Sequence, residues 1–410
     1  MPKEHITSGG SDEPEEHKAL EENESPKGRS SPGRKRRLPG ALFSLISIAV
    51  LSYIAITLIS GRNLDFSMLT GLFGGNTPAV TAQEFDFDVG SSRVFADLGG
   101  SVAAAGTFGI QVFDAGGTET QRESFRMATP AIDSSSGRAV AFDIGGTALY
   151  VFSEKQITAS LTVKGAIISA SINRNGWFCV CSQEDGAYLS IVTVYNNTGT
   201  DVYKVSLASG YAASAALSPD NKRLAVLNLK DSGSEVSIYD LSRETPDGAF
   251  ELPGGLILDV RFLQESKLVA VTSESLIAID AVGNGAVLYD FSGMRLGGFV
   301  PGNGFIALYL LDYGVGYSGR LVTLGEDGSP LGELATDKEI VSMSSGEGFL
   351  AVLQSDGISL FDTELNGFTA DGNSPSIAGA TKTVSLSEDS ALAASDHFAI
   401  VIRFERSANH

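Results

Sequence analysis

The sequence predicts an all-β domain, a β-propeller, carried behind one N-terminal transmembrane helix and a disordered tail. Three observations predict it. Residues 41–60 form an apolar run without a charge, directly after Arg34, Lys35, Arg36 and Arg37. From about residue 83 onward, short runs rich in Val, Ile, Leu, Ala and aromatics alternate with Gly, Asp, Asn and Ser turns. One unit of about 37 to 46 residues then recurs along the chain, the length of a four-stranded propeller blade.

The tail, residues 1–39, has almost no large apolar side chains and cannot bury enough surface to offset ordering, so disorder is expected. Its eight acidic and eight basic residues cancel, with the acids early and the bases late. Ser25 and Ser31 each precede a proline and could be phosphorylated, but a solvated tail with a topology signal is the simpler reading.

The span, residues 40–60, follows. About twenty uncharged residues in a helix rise about 30 Å, the thickness of a bilayer's hydrocarbon core. The four basic residues before it, against Arg62 alone after it, place the N-terminus in the cytoplasm and export the C-terminal domain. A cleaved signal peptide is the competing reading. The run is long for a signal core and no clear Ala-x-Ala site follows, which favours an uncleaved signal anchor in the cell membrane. Residues 61–81 then read as a linker. They form either a plain spacer or a short helix at the membrane interface, interrupted by Gly71, Gly74, Gly75 and Pro78.

Residues 82–406 hold the repeats. The second strand of each unit falls at residues 101–105, 138–142, 177–181, 223–227, 267–271, 305–309, 349–353 and 391–395. Third strands fall at 109–114, 148–153, 190–196, 236–240, 276–280, 320–325, 357–362 and 398–403. This gives eight blades, with seven as the alternative. The last unit has only three strands, and a spare strand at 84–89 precedes the first. That spare strand can complete the last blade and close the ring, so that no sheet edge is left open.

The repeat resembles the quinoprotein-like and WD40-like propellers. The whole layout, over about residues 30 to 406, resembles single-pass, membrane-anchored propeller proteins of uncharacterised function from Gram-positive anaerobic bacteria. The chain departs from both propeller patterns. The Gly-His and Trp-Asp signatures of WD40 blades are missing, and Trp177 is its one tryptophan, so the docking tryptophans of quinoprotein blades are missing too. The resemblance therefore carries no expectation of a quinone, and no cofactor is expected.

The inventory of reactive residues is small. Of four histidines, His5, His17 and His410 lie near the ends, and His397, beside Asp396, reads as part of a polar hairpin turn. Cys179 and Cys181 stand two apart on one strand, poorly placed to bridge and too few to hold zinc. Buried free thiols are expected. Asp114, Asp240, Asp280 and Asp362 recur at one position of the repeat, where they suit turn capping rather than a calcium loop. No phosphate-binding glycine loop, nucleophile elbow or zinc-protease motif is present. The net charge of −20 lies beyond the tail, in 41 acidic and 21 basic residues, which argues against nucleic acid as a partner.

Units three, four and six are longer between their second and third strands, at residues 183–188, 228–235 and 311–317. In a propeller these turns share a face with the connections between blades, so insertions there build a binding surface. The candidate interaction residues are Glu184, Asp185, Tyr188, Lys230, Asp231, Asp312, Tyr313 and Tyr317. Neutral loop variation explains the same lengths equally well. The innermost strands are mostly small or hydroxylated, with Asp259 and Arg261 as exceptions. That lining favours a scaffold or ligand-sensing module that meets an envelope protein or surface ligand. The alternative is a hydrolase or lyase acting on surface glycans, which requires Asp259 or Arg261 to face a polar channel with other ionisable groups.

Overall fold

In the computed structural model of the chain, the described residues are 80–404, apart from 185, 264–266, 315 and 372–376. The residues expected to form the tail, the transmembrane helix and nearly all of the linker lie outside them. Every regular element among the described residues is a strand. None is a helix long and apolar enough to cross a membrane.

The strands form eight antiparallel four-stranded sheets, so the count of eight holds. In seven of them the strands lie in sequence order from the inside of the ring outward. The eighth is built from both ends of the domain. Lys382–Ser385, Ser390–Ala394 and Ala399–Phe404 are its first three strands, and Val80–Phe85 is its outermost. The register runs from Val80 opposite Phe404 to Phe85 opposite Ala399. The closing strand is thus the expected one, displaced toward the N-terminus. Residues 84–89 keep their alternation only in part as strand: Phe85 and Val89 are buried, while residues 86–90 run on as irregular backbone into blade one.

The second strand of each blade explains the apolar runs in the sequence. It is buried on both faces, so both sets of alternating side chains are apolar. In Val102–Gly106, Val102 and Ala104 pack toward blade eight, while Ala103 and Ala105 pack toward blade two. In Arg223–Lys230, Leu224 and Val226 face blade three, and Ala225 and Leu227 face blade five. The core is accordingly divided into eight clusters, one at each blade–blade interface.

The turns between third and outer strands carry the recurring carboxylates as caps. Asp114 Oδ1 accepts from the N–H groups of Gly116 and Thr118 at 2.8 and 2.9 Å. Asp280 Oδ1 does the same with Val282 and Asn284, and Asp362 Oδ1 with Glu364 and Asn366. Asp240 accepts from Ser242 at 2.9 Å, and Asn196 takes the role in blade three. His397 lies in the turn between the second and third strands of blade eight, its N–H held by Ser395 Oγ. Cys179 and Cys181 are free and buried. Burial pushes the Cys179 thiol up to about 11 and the Cys181 thiol higher still.

Candidate functional site

The antiparallel order gives the ring two chemically different faces. One carries the turns between second and third strands and the connections between blades. The other carries the first-to-second and third-to-outer turns.

The first face is the apolar one. Fifteen large apolar side chains stand exposed among the described residues, and ten of them belong to it. Phe108, Ile144, Tyr188, Leu189, Tyr313 and Tyr317 sit on second-to-third turns. Tyr211, Leu256, Leu258 and Val341 sit where chains enter inner strands. Of the other five, four lie on outer strands and Val282 alone lies on a turn of the opposite face. Most of the ten fall on blades three to six. Between blades five and six they frame a groove of about 340 Å³, lined by Leu258, Met294, Leu296 and Tyr313, with Glu274 and Arg295 as polar neighbours. Tyr313, 70 % exposed, is the most exposed of these side chains.

The sequence-predicted residues divide on this face. Tyr188 and Tyr317 are exposed, 46 % and 45 %, and free to contact a partner. Glu184 is half-buried at the end of its strand, and Asp185 lies outside the described residues. Asp312 is spent on its own loop: its Oδ2 accepts from Ser318 Oγ at 2.8 Å, and its N–H donates to the Ser318 carbonyl. The segment at 228–235 is not a loop. Strands Arg223–Lys230 and Gly233–Asp240 run through it and leave only Asp231 and Ser232 at the tip. Gly233, at φ +133°, permits the tight turn, since a Cβ there would meet the Leu252 carbonyl oxygen at 2.3 Å. Asn228 is buried and donates to the Ser209 carbonyl, and Lys230 pairs with Glu235 across the hairpin. Lys230 is therefore a strand-end ion pair rather than a free contact residue. Tyr188 on blade three and Tyr313 on blade six share a face but not a pocket. Tyr211, Leu256 and Leu258 escaped sequence reasoning because each lies at or just before the start of a predicted inner strand, where apolar residues are ordinary.

The opposite face opens into the axial channel through a funnel of about 820 Å³, to which all eight blades contribute. Deep in the channel Arg261, on the inner strand Ile257–Phe262 of blade five, joins two carboxylates. Its Nε donates to Asp259 Oδ2 at 2.8 Å, and its Nη1 lies 3.8 Å from Asp133 Oδ1 on blade two. Burial alone would lower the Arg261 pKa, but the charges of Asp259 and Asp133 outweigh it and hold the guanidinium above its usual range. Burial pushes Asp133 up, and Arg261 offsets part of that.

These groups also stitch neighbouring blades together. An inner strand has one edge without a strand partner, so its N–H groups need acceptors from elsewhere. Asp133 Oδ2 accepts from Ile172 N–H of blade three at 2.9 Å, and Ser214 Oγ of blade four donates to Asp259 Oδ1 at 2.8 Å. Ser342 and Ser344 of blade seven accept from Thr383 and Ser385 of blade eight, both at 3.2 Å. The hydroxyls of Ser214, Ser342 and Ser344 are thus braces between inner strands. The channel is not lined by Ala and Ser alone, and Asp133 is the ionisable member that the sequence reading missed.

With fold and faces described, comparison with known proteins is informative. Residues 77–287, just over half the chain, match the model of a family described as "Family of unknown function (DUF5711)". The chain belongs to that family. No curated protein matches it. Among solved structures, the chain resembles BamB from Moraxella catarrhalis, at TM-score 0.51 and 14% identity, over 80% of this chain and 100% of that one. It also resembles the C-terminal WD40 domain of Sif2, at TM-score 0.53 and 12% identity, over 81% of this chain and 100% of that one. At such identities the likeness is one of fold.

Proposed function

We propose that this protein is a membrane-tethered, extracytoplasmic interaction module that holds a partner protein at the cell envelope through its apolar face. One observation carries the reading: among the described residues, ten of the fifteen exposed large apolar side chains lie on that face. Apolar side chains scattered singly need no explanation, whereas clustering on one face marks a contact surface. Exposed tyrosines beside leucines are the side chains that interfaces favour. The tether is residues 41–60, with the N-terminus cytoplasmic. The strand Val80–Phe85 begins beside Phe404, on the funnel face.

The alternative is a propeller enzyme acting on surface glycans. Its requirement for ionisable groups in the channel is met by Arg261, Asp259 and Asp133. These groups, however, are engaged with one another and with neighbouring strands, which suits bracing better than acid–base work.

The test is photocrosslinking in cells, with a photoreactive residue at Tyr188 or Tyr313 and a control at Val282 on the opposite face. One or a few reproducible envelope proteins, captured from the tyrosine positions and not from Val282, would support the reading. Equal capture of abundant bystanders from all three positions would overturn it.

A further inference from the structure

The groove between blades five and six carries one unpaired charge of each sign. Its lining is apolar, from Leu258, Met294, Leu296 and Tyr313, with Glu274 contributed by blade five and Arg295 by blade six. Both charged side chains are exposed, and neither makes a hydrogen bond or ion pair with another described residue. Arg261, Lys230 and Asp312, by contrast, are each engaged within the fold. The exposure of Leu258 is built into its strand. Blades three, four and five each carry a bulge in the inner strand, where the pairing skips residues 168, 213 and 258. A bulge frees one residue from the ladder and re-aims its side chain. Ile168 and Ala213, at the first two of these positions, pack against core clusters. Leu258 joins none of the eight clusters; it stands 41 % exposed and lines the groove. Leu256 and Tyr317, on the same two blades, add exposed apolar surface outside it.

We infer that this groove receives an extended segment of the partner protein, with one apolar side chain seated among Leu258, Met294, Leu296 and Tyr313, a basic residue on one side of it facing Glu274, and an acidic residue on the other facing Arg295. This seat rests on the apolar face being the contact surface, and adds where on that face the partner docks and what it carries. At about 340 Å³ the groove is at the small end for ligand sites, which suits a few side chains rather than a folded surface. Met294 is a flexible side chain that adapts to the shape of an apolar guest. A purely apolar segment would cover both charges without giving either a partner. A purely basic one, which the acidic domain would otherwise attract, would set a cation against Arg295. Only a segment of mixed charge satisfies both.

Fluorescence anisotropy with the full-length protein and six labelled, end-capped peptides tests it. Each peptide carries one central Leu in a Gly-Ser background, with Lys and Glu one, two or three residues to either side, in both orders. One order is expected to bind at least about threefold tighter than the other. Replacing the Leu of the tightest peptide with Asn should weaken binding by about tenfold or more. Glu274 and Arg295 are exposed and hold no other side chain, so the Glu274→Arg, Arg295→Glu variant should melt as the parent does and should invert the preferred order. No binding of any peptide at millimolar concentration would overturn the inference. So would equal binding of both orders, or a preference that the variant does not invert. Crosslinking in cells separates this failure from failure of the interaction reading: reproducible capture from Tyr188, beside peptides that do not bind, would remove the groove and keep the apolar face.

Discussion

Arg261 Nη1 lies 3.8 Å from Asp133 Oδ1, although the two residues stand on blades five and two, on different sides of the channel. Asp259 holds the same guanidinium at 2.8 Å. One cation thus serves two carboxylates, and through Ile172 and Ser214 the cluster reaches blades three and four.

Replacing Arg261 with Met should leave two largely buried carboxylates without their countercharge. A loss of about 3 kcal/mol in unfolding free energy is expected, since removing one member of a buried pair costs more than the pair contributes. The double variant Arg261→Met, Asp133→Asn should recover part of that loss. Urea denaturation of the parent, the two single variants and the double variant measures both effects. Additive losses would show that the two residues are not coupled.

Asp97 should make stability depend on pH. Burial raises its pKa, and the nearby charge of Glu347 raises it further, while the N–H of Gly100 offsets part of the shift. A carboxyl with a raised folded pKa takes up protons on folding. Its favourable contribution is complete below the ordinary aspartate range and is lost as pH rises through the folded value. Asp97→Asn keeps the acceptor oxygen and removes the charge. The variant should melt above the parent at pH about 7, and the difference should close below pH about 4. A difference of opposite sign, or one that ignores pH, would refute this account.

Phe85 ends the closing strand and meets Phe113 of blade one, ring centroids 4.5 Å apart. It therefore joins blade eight to blade one. Phe85→Ala should cost about 3–5 kcal/mol, the range for a large aromatic removed from a packed core. Thermal melts would register it, and a change within about 0.5 kcal/mol would mean that closure does not depend on this contact.

Cys179 and Cys181 should resist alkylation in the folded protein. Burial raises both thiol pKa values, to about 11 for Cys179, so the thiolate is scarce at neutral pH. Two labels per chain are expected in denaturant and none in buffer, read by intact mass. Rapid labelling of the native protein would contradict the packing of blade three.

The sequence displayed some of this organisation and concealed the rest, for physical reasons. Second strands such as Val102–Gly106 were legible because burial on both faces leaves an unbroken apolar run. The turn caps were legible because Asp114, Asp280 and Asp362 act within four residues of themselves. The 228–235 hairpin was misread because a longer strand pair and a longer loop change the repeat length equally, and only pairing distinguishes them. Asp133 could not be matched to Arg261, nor Glu347 to Asp97, because only ring closure brings blades distant in sequence together around one axis.

That closure sets an order on folding. The strand Val80–Phe85 is synthesised before any other part of the propeller, yet its partner, Ala399–Phe404, comes from the other end. It must wait unpaired while the intervening blades form, which makes the final step a slow, long-range search. Until it docks, blade eight exposes the free edge of Ala399–Phe404, which the same segment of a second molecule can fill. The first and last strands of the propeller thus act as a clasp, and an unclosed blade eight is the place where one molecule can exchange a strand with another.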